Sequence, residues 1–236
     1  MNKTAYKRVL LKLSGEAFKG DRESGIDFPT VQKLAKKIAN IRSMGVDVAI
    51  VNGGGNLFRG RAGTKYGMEQ TSADYIGMMA TVMNSIALQE ALEQIDVPTR
   101  VLTAIDVKRI AEPFIRRRAI RHMEKGRVVI CAAGIGNPFF TTDTAGVLRA
   151  IELGCEIMLK ASNVDGVYSA DPSEKGAKKF EKITYSEFLQ KKLRALDATA
   201  VSLAMEKNLP IEIFNFFKEG NLEKVIAGQR IGTLIH

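Results

Sequence analysis

The stretch RVVICAAGIGNPFFTTDTAGVLRAIELGCEIMLKA, residues 127–161, decides the fold of this chain. It opens with an apolar run that is typical of a buried strand, and residues 156–161 form a second such run. Between them, Thr142–Leu153 has the pattern of a helix, and Gly154 follows as its stop signal. A strand, a helix and a second strand in this order predict a parallel β-α-β unit, with a glycine-containing loop at the carboxyl end of the first strand.

The same alternation of strand and helix patterns runs along most of the chain. Further strands are predicted at 6–13, 46–51, 98–103, 210–216 and 232–235, and further helices at 28–44, 74–94, 112–125, 198–207 and 221–227. Residues 162–184 are polar and contain glycine and proline, so a loop is predicted there. Short connections between alternating elements predict an α/β fold with a mostly parallel sheet that helices cover on both faces.

The composition is that of an ordinary globular chain. Its 236 residues, of which 45 % are hydrophobic and 26 % charged, fit one α/β domain or two small ones. Cys131 and Cys155 lie inside apolar runs, so we expect reduced core thiols, and two histidines are too few for a zinc cluster. Neither a signal-peptide pattern nor an apolar run of about 18 residues occurs, which predicts a cytoplasmic protein that does not span a membrane.

The net charge is +9, and the basic residues are densest in EPFIRRRAIRHMEKGR, residues 112–127. Such a charge fits either nucleic-acid binding or an enzyme with a site for polyanionic small molecules. The apolar residues of this segment form one helical stripe, and four arginines mostly fall off it: Arg116, Arg117, Arg118 and Arg121. A solvated helix face explains this pattern better than nucleic-acid binding, for which neither a recognised motif nor interleaved aromatic residues are present.

Three glycine-containing loops follow predicted strands: Lys12–Ala17, Asn52–Gly60 and the loop that begins at Gly134. Glycine lets backbone N–H groups approach an anion, and a following helix N-terminus adds partial positive charge. A turn needed only for chain reversal would explain any one of these loops. Three such loops at one edge of a sheet predict a site that binds several phosphate groups side by side. Neither a P-loop motif nor a dinucleotide-binding motif occurs in the sequence.

Two lysines and an aspartate near these loops indicate phosphoryl transfer. Lys12 and Lys160 lie at the ends of apolar strands, where an ammonium group reaches an anion, although a snorkelling surface lysine is the alternative for each. Phosphoryl transfer needs positioning and neutralisation of a negatively charged transition state, and lysines supply both. Asp143 begins the predicted helix, where it stabilises the first turn, holds a lysine in place or helps to bind Mg²⁺.

Five motifs occur along the chain in this order: KLSGEA, GGGNLFRG, ADYIGMMATVMN, GNPFFTTDTA and KASNVDGVYSADP. Together they resemble the bacterial UMP kinase (uridylate kinase) branch of the amino acid kinase family, over essentially the whole chain from Tyr6 to Ile235. The resemblance implies a single amino acid kinase domain over 1–236, with the three-layer αβα sandwich of the carbamate kinase-like fold. It also implies direct in-line transfer from MgATP to UMP, which gives UDP for pyrimidine biosynthesis, by a cytoplasmic homohexamer.

The resemblance divides the domain between two nucleotides. Residues 1–155 would form mainly the UMP site and subunit contacts, and residues 156–236 mainly the ATP nucleoside site. The implied catalytic residues are Lys12, Lys160 and Asp143, and the implied ATP-binding residues are Lys12, Leu13, Ser14, Gly15, Gly55, Arg59, Ser162, Asn163, Tyr168 and Asp171. The implied UMP-binding residues are Gly54, Asp74, Ile135, Gly136, Asn137, Pro138, Phe139, Phe140, Thr141 and Thr142, and Asp197 is a candidate for the polar network near ATP. The chain itself is expected to supply no metal ligand, because the phosphates of ATP mainly hold the Mg²⁺.

Simpler roles compete with several of these assignments. Tyr168 would pack the 162–184 loop on the sheet, and Asp74 would serve as a helix N-cap. Phe139 and Phe140 would be core plugs rather than groups that stack on a base. Three methionines are expected in the core or at a subunit interface: Met78, Met79 and Met83.

One position departs from the family pattern. Relatives have Thr between the two glycines of the loop at Gly134, whereas this chain has Ile135, which cannot replace a hydroxyl hydrogen bond. Uracil would then be recognised by backbone groups, by Asn137 or by water. The resemblance further implies inhibition by UTP, and it leaves open an activation by GTP in which residues 20–27 take part. An amino acid or carbamate is the competing acceptor, which the GNPFFTTD loop and Asp74 disfavour.

Overall fold

A computed structural model describes residues 4–59, 66–171, 174 and 176–236 of the chain. Within these residues the strands are β1 (Arg8–Leu13), β2 (Asp47–Asn52), β3 (Thr99–Thr103), β4 (Glu112–Pro113), β5 (Val128–Ala132), β6 (Ile157–Ser162), β7 (Val167–Tyr168), β8 (Lys179–Phe180), β9 (Lys182–Ile183), β10 (Ile211–Asn215) and β11 (Thr233–Ile235). The helices there are α1 (Phe28–Ser43), α2 (Gln70–Glu93), α3 (Arg116–Glu124), α4 (Thr142–Leu153), α5 (Tyr185–Gln190), α6 (Ala198–Lys207) and α7 (Asn221–Ile226), with a 3₁₀ turn at Gly15–Phe18.

Nine of these strands form the main sheet, in the order β4-β3-β5-β2-β1-β6-β10-β11-β9, and β7 pairs with β8 as a separate hairpin. Neighbours in the main sheet run parallel, except that β10 and β11 are antiparallel. At its centre, Lys12 of β1 lies in register with Val51 of β2 and with Lys160 of β6. The carboxyl ends of β1, β2, β5 and β6 therefore reach one edge of the sheet, and the three glycine-containing loops leave from that edge.

Helices cover both faces of the sheet. Val9 of β1 packs in the core beneath α1, α2 and α7, and Leu10 packs in the core beneath α3 to α6, because successive residues of a strand point to opposite sides. Both residues are fully buried, as expected for a parallel sheet between helical layers. None of the described helices is long and apolar enough to cross a membrane. The predicted three-layer α/β sandwich with a mostly parallel sheet is confirmed.

Local signals explain where the helix of the deciding stretch begins and ends. α4 follows Thr141, whose hydroxyl accepts the Asp143 N–H at 3.0 Å and so caps the first turn. It ends before Gly154, which has a φ of 67° that suits glycine at a helix end. These caps place Asp143 directly after the loop that follows β5.

The predicted helix over 112–125 is wrong at its start. Glu112 and Pro113 form the edge strand β4, which pairs with β3, and α3 begins only at Arg116. Proline disfavours a helical conformation of the residue before it and offers no N–H to a hydrogen-bond ladder, so an edge strand suits this dipeptide. Ile115 is still extended, with a φ of −121°, and precedes the first helical residue.

The helix that was predicted from Asp74 begins earlier, at Gln70. Asp74 lies inside α2, and Glu69 stands at the cap position, so the interpretation of Asp74 as an N-cap is wrong. The Gln70 amide donates to the Asp74 carboxylate at 2.7 Å, an interaction between positions i and i+4 that supports the first turns of the helix.

The predicted loop over 162–184 contains strands. β7 and β8 pair as an antiparallel hairpin, and β9 joins the far edge of the main sheet; Pro172 lies outside the described residues. Strands of two residues are too short for a periodic pattern, which explains why the segment resembles a loop. α5 was not predicted either, although its signal is present, since Thr184 and Glu187 form a capping box.

Both cysteines are free thiols in the interior, as expected. Burial raises the pKa of Cys131 to about 12, and burial also raises the pKa of Cys155. Both thiols therefore stay protonated at neutral pH and behave as small apolar groups.

Candidate active site

Lys12, Asp143 and Lys160 meet at the centre of the carboxyl edge of the sheet. Lys12 comes from β1, Lys160 from the neighbouring β6, and Asp143 from the first turn of α4. Lys12 Nζ lies 2.7 Å from one carboxylate oxygen of Asp143, and Lys160 Nζ lies 2.6 Å from the other. Lys160 also donates to the Ala195 carbonyl at 2.6 Å. One carboxylate thus holds two ammonium groups in place.

These three charged groups are largely shielded from water. Lys12 is 7 % exposed and Asp143 is 9 % exposed. Burial raises the pKa of Asp143, but the charges of Lys12 and Lys160 outweigh burial and hold this pKa below its usual range. Burial lowers the pKa of Lys160, and the Asp143 carboxylate opposes that shift. Two ammonium groups around one ionised carboxylate leave a surplus of positive charge, which attracts a phosphate group.

The first two glycine-containing loops touch each other directly. A Cβ atom on Gly15 would lie 2.4 Å from the Gly55 nitrogen, and one on Gly53 would lie 2.9 Å from the Gly15 nitrogen. Glycine is required here because any side chain would push the loops apart. Leu13 is fully buried, so only its backbone is available to a ligand, and its carbonyl accepts the Gly53 N–H at 2.9 Å. The two loops form one continuous surface beside Lys12, which we call the glycine floor (residues 13–15 and 53–55).

A cleft of about 180 Å³, which we call the loop cleft, lies between α2 and the loop that follows β5. The predicted residues that line it are Gly54, Gly55, Asp74, Ile135, Asn137, Phe140, Thr141 and Thr142. Residues outside the predicted ATP and UMP sets complete the lining: Phe58, Ala73, Gly77, Met78, Thr81, Ala133 and Gly134. Gly136, Pro138 and Phe139, which belong to the predicted UMP set, are not part of the lining. The cleft combines apolar side chains with backbone and hydroxyl groups, a mixture that is typical of small-molecule sites.

Hydrogen bonds from α2 hold the backbone of this loop. Phe139 has a φ of 71°, and its N–H donates to the Asp74 carboxylate at 2.8 Å. Ala133 has a φ of 61°, and its N–H donates to the Thr81 hydroxyl at 2.7 Å. Residues other than glycine rarely adopt a positive φ, so these two bonds support an unfavourable backbone conformation. Asp74 therefore shapes the loop as well as lining the cleft.

Asp197 ties α4 to α6. Its carboxylate accepts the hydroxyl of Thr141, the hydroxyl of Thr144 at 2.9 Å and the N–H of Ala200 at 2.9 Å. The last of these bonds makes Asp197 the N-cap of α6. The polar network to which Asp197 belongs is therefore the one that anchors the start of α4, where Asp143 lies.

Two wider clefts lie beside Lys160. The first, which we call the hairpin cleft, has a volume of about 530 Å³ and is lined by Val164, residues 166–171, Glu174 and residues 191–195. The second, which we call the lysine cleft, has a volume of about 720 Å³ and is lined by Ser14, Glu16, Ala17, Lys19, Gly20, Asp21, Thr30, Lys33, Leu34, Lys37, residues 160–163, Phe216 and Phe217. Tyr168 and Asp171 lie on the first, whereas Ser162 and Asn163 lie on the second. The structure thus divides these four predicted ATP residues between two clefts.

Two predicted ATP residues have acidic partners that sequence reasoning missed. The Tyr168 hydroxyl donates to the Asp165 carboxylate at 2.6 Å, so Tyr168 does more than pack a loop on the sheet. Arg59 is exposed and lies 2.6 Å from the Glu16 carboxylate; Gly60, which ends its loop, lies outside the described residues. The glutamate in KLSGEA was a visible signal, because a carboxylate beside a phosphate loop needs a cationic partner.

A buried polar stripe on α2 was also missed. Thr81, Asn84 and Ser85 lie on one side of this helix, and the most exposed of them, Thr81, is only 3 % exposed. Asn84 donates to the Gly53 carbonyl at 2.8 Å, and Ser85 donates to the Asn52 side chain at 2.7 Å. The stripe fastens α2 to the loop that follows β2. Polar residues at helical spacing within a Met- and Ala-rich helix are the signal that would have found it.

The exposed fractions of the side chains test three earlier interpretations: those of two phenylalanines, of the methionines and of the arginines of the basic segment. Phe139 is 74 % exposed and Phe140 is 49 % exposed, so the interpretation as core plugs is wrong. Met78 is buried in the core, whereas Met79 and Met83 are exposed on α2. The four arginines of the basic segment lie exposed on α3, which fits a solvated helix face.

Both the sequence and the fold have relatives among known proteins. A family model described as the amino acid kinase family matches residues 7–215. A uridylate kinase of Pediococcus pentosaceus is 52 % identical over 237 positions, which cover 100 % of this chain and 98 % of that protein. The crystal structure of UMP kinase from Bacillus anthracis has a TM-score of 0.95 at 38 % identity, covering 98 % of this chain and 96 % of that one. The crystal structure of UMP kinase from Ureaplasma parvum has a TM-score of 0.92 at 36 % identity, covering 97 % and 98 %. These matches confirm the resemblance that the five motifs indicate.

Proposed function

The chain belongs to the amino acid kinase family, and because its relatives there are uridylate kinases, we propose that it transfers a phosphoryl group from ATP to UMP. The products are ADP and UDP, and the reaction serves pyrimidine nucleotide synthesis. The observation that carries this proposal is the Asp143 carboxylate, which holds two lysines on neighbouring strands beside the loop cleft and the two wider clefts.

In this proposal the loop cleft receives UMP. Thr141 and Thr142 line it and stand directly before Asp143, so a phosphate bound there reaches the lysines. The N-terminus of α4 adds partial positive charge next to that phosphate. Backbone groups and Asn137 recognise the uracil, because Ile135 offers no hydroxyl.

Lys12 and Lys160 act on the group in transfer. A phosphate oxygen of UMP forms a bond to the γ-phosphorus of ATP while the bond from that phosphorus to the oxygen of ADP breaks, without a covalent phosphoenzyme. Negative charge spreads over the three oxygens of the transferred group, and the two ammonium groups act as point charges that stabilise it. Asp143 keeps both of them in position before the substrates bind.

ATP lies along the glycine floor in this proposal, with its adenosine in the hairpin cleft beside Tyr168 and Asp171. In the described part of the chain, no group of three or more His, Cys, Asp or Glu side chains is arranged to hold a metal ion. Both oxygens of Asp143 are engaged by lysines, which leaves the phosphate oxygens of ATP to hold Mg²⁺. The ion, when bound, neutralises part of the phosphate charge.

An acceptor screen tests the proposal. ADP release with MgATP is measured for UMP, CMP, dTMP, glutamate, aspartate and carbamate, and the nucleoside diphosphate formed is identified by chromatography. We expect turnover with UMP to exceed turnover with every other acceptor, with UDP as the product. Turnover confined to an amino acid or to carbamate would refute the proposed acceptor while leaving the kinase fold intact.

Assembly is a further part of the proposal. A homohexamer needs apolar surface on each subunit, and α2 exposes such a face. Its members are Tyr75, Ile76, Met79, Met83 and Ile86, of which Met83 is 52 % exposed. We place a subunit contact on this face.

Regulation and location complete the proposal. UTP inhibits by occupying part of the loop cleft, and an effect of GTP is to be measured in the same assay. The segment 20–27, which the resemblance connects with effectors, contacts the glycine-loop region, because the Gly25 N–H donates to the Asn56 carbonyl at 2.9 Å. The cytoplasmic location expected from the sequence stays a prediction.

A further inference from the structure

We propose that Thr233 is a positioning residue for the donor nucleotide, because its hydroxyl fastens the β7–β8 hairpin to the main sheet. This inference rests on the proposed function, in which the hairpin cleft receives the nucleoside of ATP. Thr233 lies on β11, is fully buried and is not part of the lining of the hairpin cleft, so it acts through the hairpin and not by touching the ligand.

Two hydrogen bonds of one hydroxyl connect the hairpin to the sheet. The Thr233 hydroxyl accepts the Val167 N–H at 2.8 Å and donates to the Phe180 carbonyl. Val167 and Phe180 are partners across the hairpin, so the hydroxyl holds both of its strands at once. The backbone of Thr233 is itself in register with Ile213 of β10, which belongs to the main sheet. The position of the hairpin is therefore set by β11, a strand of the main sheet.

Close packing reinforces this attachment. A Cβ atom on Gly166 would lie 2.5 Å from the Thr233 hydroxyl oxygen. The backbone at Gly166, just before β7, therefore packs closely against that oxygen. The Lys179 ammonium group donates to the Ile231 carbonyl at 3.0 Å and lies 3.5 Å from the Asp165 carboxylate. Asp165 is the residue that accepts the hydroxyl of Tyr168. The same contacts that attach the hairpin thus reach the tyrosine of the cleft.

The attachment matters because an isolated two-stranded hairpin is marginally stable in water. Tyr168 directly follows Val167 and pairs with Lys179, so any shift of the hairpin moves the aromatic side of the cleft. Loss of the Thr233 hydroxyl would leave the Val167 N–H and the Phe180 carbonyl without these partners, and buried unpaired groups of this kind are strongly unfavourable. Because β8 stays joined through Glu181 to β9 of the main sheet, β7 would then shift away from β11 or the hairpin would open to water.

The test compares Thr233→Val, which keeps the shape of the side chain and removes the hydroxyl, with Thr233→Ser, which keeps the hydroxyl. We expect Thr233→Val to raise KM for ATP about tenfold, while KM for UMP and kcat at saturating ATP change less than about twofold. Thr233→Ser should restore most of the wild-type KM for ATP. Without nucleotide, amide hydrogen exchange in peptides that contain Val167 or Phe180 should be faster in the Val variant.

Thr99→Val is the matched control, because Thr99 is also fully buried and its hydroxyl donates to the Val97 carbonyl at 2.9 Å on β3, far along the sheet. It should leave KM for ATP unchanged, whatever stability it loses. Unchanged exchange in Thr233→Val would overturn the attachment, and faster exchange with an unchanged KM for ATP would overturn the positioning role. A wild-type protein that does not phosphorylate UMP with ATP would refute the proposed function and the positioning role together, while the exchange result would still report on the attachment.

Discussion

Lys12 offers a sharp test of the proposed site, because it is buried and paired with one carboxylate oxygen of Asp143. We expect Lys12→Met to lower kcat by about 10²–10³-fold, which is the usual effect of removing one group that stabilises transition-state charge. KM for UMP should change by less than about threefold, since the lysine acts mainly on the group in transfer. Steady-state kinetics with both substrates measure the two effects.

Lys7→Met is the control for this experiment. Lys7 is an exposed lysine that directly precedes β1, so its replacement should leave both constants close to those of the wild type. Equal losses in kcat and in UMP affinity for Lys12→Met would assign Lys12 to ground-state binding and contradict the proposed role.

Glu212 is a buried carboxyl group outside the site. It lies on β10, is 3 % exposed, and one of its oxygens has no hydrogen-bond partner within the part of the chain that the structure describes. Burial raises the pKa of Glu212 above its ordinary value of 4.5, although the N–H groups of Gly232 and Ile231 lower it in part. The folded chain therefore binds this proton more tightly than the unfolded chain. The contribution of Glu212 to the free energy of unfolding is fully present below its ordinary pKa. This contribution is lost as pH rises through the raised pKa of Glu212 in the folded chain.

Glu212→Gln removes this titration, because the amide stays neutral at every pH. We expect the free energy of unfolding of the wild type to fall relative to that of Glu212→Gln as pH rises from about 4.5 towards neutrality. Urea denaturation at a series of pH values measures both curves. Glu181→Gln, which replaces an exposed glutamate next to β9, is the control. Parallel curves for Glu212→Gln and the wild type would show that the raised pKa is absent.

Among the helices and strands, length decides how well the sequence predicts them. α1 and α4 were predicted to within one residue, because each has several turns of apolar periodicity and a glycine just beyond its end. β4, β7, β8 and β9 have two residues each, and pairing with distant strands defines them. No local pattern of two residues can report such pairing.

The candidate site was likewise predictable from the sequence only in part. That Lys12, Asp143 and Lys160 lie close together follows from the rule that loops after parallel strands share one edge of the sheet. The shape of the loop cleft does not follow from any such rule. It depends on Thr81 and Asp74, which bond to residues 52 and 65 positions further along the chain. Contacts at such separations require the packed structure.

The junction between α4 and α6 leads to a prediction about stability. Asp197→Ala removes the cap of α6 and the acceptor of two hydroxyl groups at the start of α4. We expect the free energy of unfolding to fall by about 2 kcal/mol, the combined effect of a lost cap and of lost bonds to a charged group. KM for UMP should also rise, because Thr141 lines the loop cleft. Urea denaturation and steady-state kinetics measure these effects.

Asp197→Asn is the matched variant, since its amide oxygen still accepts the Ala200 N–H while the charge is gone. It should recover about 1 kcal/mol of the loss, which is the usual contribution of a helix cap. If Asp197→Asn and Asp197→Ala lose the same amount, the capping role is wrong.

On the scale of the whole molecule, α2 carries an apolar face that would be exposed to water in a monomer. We expect Met83→Asp to shift the protein towards smaller assemblies in analytical ultracentrifugation, because a carboxylate in an apolar subunit contact is strongly unfavourable. Met83 is 52 % exposed, so the folded monomer should tolerate the change.

Met205→Asp is the control for this experiment, because Met205 is an exposed methionine on α6, at 40 % exposure, outside the proposed contact. It should leave the sedimentation coefficient unchanged. A Met83→Asp protein that sediments like the wild type would remove this face from the subunit contact.

The close approach of Gly15 and Gly53 has a consequence for how such a chain diverges. A side chain on Gly15 would meet the backbone nitrogen of Gly55, and one on Gly53 would meet the backbone nitrogen of Gly15, so each position is blocked by the backbone of the other loop. Substitution of either glycine displaces the partner loop, and no second substitution in that loop restores the lost space. The pair is therefore expected to be inherited unchanged in functional descendants, while cleft positions such as Ile135 exchange one side chain for another.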